Sequence, residues 1–178
     1  FDNLTHFSLI ECSEIKNRLI VLDGWSKTYA MTGWRLGYSI WPQELIEPVT
    51  KLVINTYSCV SGFTQLAGMS ALTGSQNGVE KMVRAFEERR GVLVNGLNAI
   101  ESIDCRMPKG AFYAFPNIKR TGKSSKLLQN ELLEQAGVAL LSGSSFGSFG
   151  EGYLRISYAN SMKNIETAIE RIGNYLEG

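Results

Sequence analysis

Lys27 and Arg35 stand eight positions apart in the stretch Gly24-Trp25-Ser26-Lys27-Thr28-Tyr29-Ala30-Met31-Thr32-Gly33-Trp34-Arg35-Leu36-Gly37, which is otherwise built mainly of small and aromatic residues. A deprotonated lysine amine condenses with a carbonyl to form a Schiff base. An arginine guanidinium keeps its charge and offers a planar fork of donors suited to phosphate or carboxylate. Ser26 adds a hydroxyl donor beside the lysine. Taken singly, each residue has a plainer reading: Lys27 as a solvated loop lysine, Arg35 as half of a surface ion pair, Ser26 as a strand-end serine satisfying backbone. A second arginine, Arg155, sits in Tyr153-Leu154-Arg155-Ile156-Ser157-Tyr158. An arginine in such an apolar strand is costly to bury without a partner. Glu151 is the nearest carboxylate in sequence that could serve. His6 is the only histidine and has no companions around it, so a Ser-His-Asp triad or a metal site has little to stand on.

A Schiff-base lysine and a phosphate-binding arginine in one site suit pyridoxal 5′-phosphate, which carries an aldehyde at one end and a phosphate at the other. The stretch resembles the cofactor-lysine signature of the class I and II aminotransferases, fold-type I pyridoxal-phosphate enzymes, at Gly24, Ser26, Lys27, Met31, Gly33, Arg35 and Gly37. The resemblance implies that Lys27 is the catalytic residue, holding the cofactor as a Schiff base and then moving a proton. Such work calls for a lysine pKa brought toward neutrality, which burial and a nearby positive charge supply. It implies that Arg35 and Ser26 hold the cofactor phosphate. Many relatives carry a serine three positions before the lysine; Gly24 stands there here and removes one hydroxyl donor.

By the same resemblance, Arg155 binds the α-carboxylate of the substrate, orienting its Cα–H bond perpendicular to the cofactor ring. Gly143-Ser144-Ser145-Phe146-Gly147 and Ser157 also resemble the family's C-terminal segment. Pro108 to Phe115 resembles a small-domain strand close to the substrate, with Phe112 or Tyr113 as pocket-lining candidates, although such aromatics are more often core. Asn55 to Gln65 resembles the segment that approaches the partner subunit's active site. The implied parent is a homodimeric aminotransferase that passes an amino group from an amino acid to a 2-oxo acid. A carbon–sulfur lyase on the same scaffold, and a ligand-sensing domain of a transcription regulator, are the rival readings.

These residues need elements to position them. Arg18 to Asp23 reads as a short buried strand delivering the chain to Lys27, and Trp34 to Ile40 as the next. Ligands of open parallel sheets collect beyond the carboxyl ends of the strands. Helical spacing covers Gln43 to Asn55, with Leu45, Ile46, Val49, Leu52 and Val53 on one side and Pro48 inside. Further helices are expected over Thr64 to Leu72, Val79 to Ile100, Ser125 to Ala136 and Met162 to Leu176. Strands are expected over Ala111 to Phe115, Val138 to Leu141 and Tyr153 to Tyr158. The expected fold class is α/β: the C-terminal part of the pyridoxal-phosphate-dependent transferase fold. Residues 1–86 are expected to be a remnant of the large domain's mostly parallel sheet, and residues 87–178 a small α+β domain.

The bulk numbers narrow the field. Eighteen basic residues against seventeen acidic give a net charge of +1, which favours neither nucleic acid nor an anionic membrane as partner. No apolar run approaches the roughly 18 residues a bilayer crossing needs. Cys12, Cys59 and Cys105 are widely spaced, which fits a reducing compartment and an expected cytoplasmic location. The resemblance covers only the C-terminal half of a normal family member, so the chain is expected to be a fragment. The missing half would supply the aspartate for the pyridine nitrogen, the ring-stacking aromatic and a tyrosine near O3′.

Overall fold

A computed structural model describes all residues, 1–178. The chain divides into two compact units, Thr5–Lys81 on one side and Phe1–Leu4 with Met82–Gly178 on the other. No helix is long and apolar enough to cross a membrane.

Within Thr5–Lys81, strands β1 (Val21–Gly24) and β2 (Gly37–Ile40) pair antiparallel, Val21 opposite Ile40 and Gly24 opposite Gly37. The α/β class holds, and the one pair that residues 1–86 keep of the expected mostly parallel sheet is antiparallel. A parallel pair needs a crossover element, and the 25–36 connection contains only the 3-10 turn Thr32–Trp34. That turn also shortens the second strand, which starts at Gly37 rather than Trp34. Two helices follow, α1 (Gln43–Thr56) and α2 (Gly62–Thr73). α1 runs continuously through Pro48, whose missing N–H removes one hydrogen bond from the helix. The expected apolar face of α1 is present but uncovered: none of its residues is buried. The small core of this unit is Trp25, Met31 and Leu36, with Tyr29, Val60, Ala67 and Ala71 against it.

The other unit is densely packed. α3 (Asn77–Asn98) contributes Leu93, Val94 and Leu97, α4 (Ser125–Glu134) Leu128 and Leu132, and α5 (Met162–Glu177) Ile165 and Ile172. Ser124 and Ser161 start α4 and α5 by accepting the Leu127 and Asn164 backbone N–H groups. A Cβ on Gly96 would lie 2.7 Å from Ile169, so glycine there lets α5 approach α3 closely. Three short strands form an antiparallel sheet in the order β3 (Tyr113–Ala114), β5 (Leu154–Ser157), β4 (Leu141–Ser142). Sheet and helices enclose one core that includes Ile103, Ile118, Leu154 and Tyr158. A half-exposed Asp2 pairs with the buried Arg90 at 2.6 Å, and Arg90 also donates to the Pro108 carbonyl oxygen.

Candidate functional site

Lys27, Ser26 and Arg35 line one cleft of about 400 Å³, together with Asp23, Gly24, Thr28, Leu36 and Gly37. The cleft forms because β1 and β2 approach each other at two glycines. A Cβ on Gly24 would stand 3.0 Å from the Leu36 carbonyl oxygen, and one on Gly37 would stand 3.1 Å from that of Asp23. A serine at position 24 would therefore need only a small local shift.

The loop between the strands is held from α2. The Trp25 indole N–H donates to the Gly68 carbonyl oxygen at 3.0 Å, and Gly68 lies so close that a Cβ would meet Leu36 at 2.3 Å. Lys27 thus follows a buried, anchored tryptophan while its own side chain remains exposed. The burial invoked above for its amine is not supplied here. Two non-glycine residues of this loop, Ala30 (φ 53°) and Arg35 (φ 54°), take left-handed backbone conformations. Each costs about 1–3 kcal/mol and persists only where the surroundings enforce it, a pattern that gathers at functional sites.

The electrostatics of the cleft are mixed. Arg35 donates to the Thr32 carbonyl oxygen at 2.8 Å and has no carboxylate partner, so the surface ion pair considered for it is absent. Asp23 is the one acidic group on the cleft, and its carboxylate is engaged. It accepts the Gly24 N–H at 2.6 Å and the Tyr38 hydroxyl at 3.4 Å, and its charge raises the Tyr38 pKa. An amine, an always-charged guanidinium and two hydroxyls on a cleft within the usual size range for small ligands suit an aldehyde-bearing phosphate ester. The residues present therefore fit pyridoxal 5′-phosphate. Sequence reasoning passed over Asp23 and Thr28, although both adjoin residues already singled out.

Arg155 belongs to the other unit, on β5, and is half-buried. Glu151, the nearest carboxylate in sequence, does not pair with it. That carboxylate accepts the Ser125 backbone N–H at 2.8 Å and the Ser125 hydroxyl at 2.7 Å at the start of α4, which hold its pKa below the usual value. The Arg155 guanidinium carbon lies instead over two rings, Tyr113 at 4.4 Å and Phe146 at 4.2 Å. Tyr113 was one of two pocket-lining candidates. Phe146 lies in the stretch that resembles the family's C-terminal segment, and nothing in its sequence position reveals the ring beneath the arginine.

Comparison with known proteins follows the same line. The family model described as aminotransferase class I and II matches residues 3–172. An aspartate aminotransferase of Pyrococcus horikoshii is 41% identical over 100% of this chain and 46% of its own length. An aspartate aminotransferase of Rhizobium meliloti is 41% identical over 89% of this chain and 40% of its own. The crystal structure of an aromatic aminotransferase from Pyrococcus horikoshii superposes with a TM-score of 0.95 at 38% identity, covering 99% of this chain and 48% of that one. The chain spans less than half the length of each of these relatives.

Proposed function

This chain belongs to the class I and II aminotransferases, and from that premise we propose that it is the C-terminal portion of a pyridoxal-phosphate-dependent aminotransferase. The full-length protein transfers an amino group from an amino acid to a 2-oxo acid. The observation that carries this reading is the single cleft shared by Lys27, Ser26 and Arg35.

In this reading Lys27 Nζ would hold the aldehyde end of the cofactor. Arg35 and Ser26 bind its phosphate, the guanidinium as a charged fork and the serine as one donor. The bound cofactor supplies an electron sink for the pair left when the substrate's Cα–H bond breaks. The Lys27 amine would act as the base at the substrate's Cα–H bond and would then give up that proton as an acid. Arg155 holds the α-carboxylate in two hydrogen bonds and so sets the angle of the Cα–H bond. Residues 1–86 belong to the large cofactor-binding domain and residues 87–178 to the small domain. The protein is a homodimer, a reading supported by its membership of the family. The free Cys12, Cys59 and Cys105 support a cytoplasmic location.

The test is an assay of keto-acid formation by the full-length protein, with and without a 2-oxo acid acceptor. Formation that requires the acceptor, and that disappears in Lys27→Ala, is the expected result. Acceptor-independent release of keto acid would point to elimination chemistry, and the absence of any turnover to a sensing domain.

A further inference from the structure

We propose that Tyr113 and Phe146 are positioning residues for Arg155, two aromatic faces that fix the plane of the guanidinium so that its edge donors meet a substrate carboxylate in one orientation. The inference rests on the reading of Arg155 as the carboxylate-binding group.

Three observations carry it. Both rings lie under the same guanidinium carbon, at 4.4 and 4.2 Å, well inside the range in which the face of a ring attracts a cation. Arg155 has no acidic partner, and the closest acidic residue in the chain sequence, Glu151, is tied to Ser125 by two hydrogen bonds. A permanent carboxylate at Arg155 would compete with the substrate for the same N–H fork. Aromatic faces hold the cation without occupying that fork.

The rings are themselves braced. Tyr113 lies 4.5 Å from Phe112, which reaches Phe86 of α3 at 6.0 Å. Phe146 meets Phe115 edge-on at 6.5 Å, and Phe115 stacks on Tyr153 at 5.4 Å. The turn that carries Phe146 is pinned at both ends. Ser142 and Ser144 share a 2.6 Å hydroxyl contact, and Ser142 reaches the buried Ser125 hydroxyl at 2.8 Å. Gly143 and Gly150 approach so closely that a Cβ on Gly143 would lie 2.2 Å from the Gly150 carbonyl oxygen. The hydroxyl network at the start of α4 therefore does two jobs: it removes Glu151 from Arg155 and it sets Phe146 beneath it.

The experiment is steady-state kinetics on the full-length holoenzyme carrying Tyr113→Leu, Phe146→Leu, Phe146→Tyr and Arg155→Gln, with pyridoxal-phosphate absorbance and unfolding midpoint recorded for each. Each leucine variant is expected to raise KM for both the amino acid and the 2-oxo acid about five- to tenfold, with kcat changed less and cofactor absorbance retained. Phe146→Tyr, which keeps a ring face, is expected to restore KM to within about twofold of the parent. Should a leucine variant fail to fold, the tyrosine variant and the other ring still decide. If Arg155→Gln raises KM while the folded leucine variants do not, the positioning role is wrong and the carboxylate reading stands. If Arg155→Gln leaves KM unchanged, the carboxylate reading itself falls.

Discussion

Residues 82–178 bury a fifteen-residue apolar core that runs from Leu93 to Ile172, whereas the apolar core of residues 5–81 holds three buried residues, Trp25, Met31 and Leu36. α1 in one region and α3 in the other are both amphipathic. Leu97 on α3 is fully buried, while Leu52 on α1 is 63% exposed and Phe63 on α2 is 73% exposed. Hydrophobic periodicity thus reports that a face is made to be covered and not what covers it. Burial of an aliphatic or aromatic side chain contributes about 1.5–3 kcal/mol. The uncovered Leu22, Leu52, Ile54, Phe63, Leu66 and Met69 together forgo on the order of 10 kcal/mol, comparable to the whole stability of a domain. The region with the lysine cleft is therefore the one that needs outside support, and the relatives, more than twice as long as their matched portions, have chain to provide it.

The largest expected contrast is in amide hydrogen exchange. In the 178-residue chain alone, amides of α4, α5 and the second half of α3 should be protected, while those of α1 and α2 exchange within the dead time. Equal protection of α1 and α4 in the isolated chain would break the comparison. Core truncation comes next. Leu132→Ala, at a fully buried position, should cost about 2–5 kcal/mol. Leu52→Ala should stay within about 0.5 kcal/mol in the isolated chain and cost more in the full-length protein. A Leu52→Ala penalty that is the same in both would remove the argument for outside cover.

Much of this was legible beforehand. The motif around Lys27 and Arg35 pointed to one shared site, and both do line one cleft; the five helices fell within a few residues of where periodicity put them. What was not legible has physical causes. Strands of four residues and fewer carry too little alternation to reveal direction, so the antiparallel pairing of β1 and β2 depended on the connection between them. The motif does not reveal whether Lys27 is covered, and in this chain its side chain is exposed. The surroundings of Arg155 come from segments remote in sequence, and Glu151 was captured by a serine at the start of α4 that no local pattern connects to it.

Two smaller effects sharpen the contrast further. Burial, reinforced by the Asp104 charge, pushes the Cys105 thiol up to about 11, while Cys59 is exposed. A thiol reagent at pH 8 should modify Cys59 readily and Cys105 at least about a hundredfold more slowly. Comparable rates would mean that the densely packed unit opens as easily as the other. The weakest effect is in acid. The Arg90 guanidinium, through its hydrogen bonds, holds the Asp2 carboxyl below the usual carboxylate value. A depressed folded pKa means that this stabilisation is complete above the unfolded value, near pH 4, and is lost as pH falls through the folded one. Asp2→Asn should therefore lower the unfolding midpoint at pH 7 and leave it nearly unchanged at pH 2.

The central claim, that one amine in the 5–81 cleft carries the cofactor, has a direct chemical test. The full-length protein loaded with pyridoxal 5′-phosphate is reduced with borohydride, digested and mapped by mass spectrometry. The account predicts a pyridoxyl group on the peptide containing Lys27, and the loss of both label and visible absorbance in Lys27→Ala. A label on a different lysine, or one that survives Lys27→Ala, would contradict it.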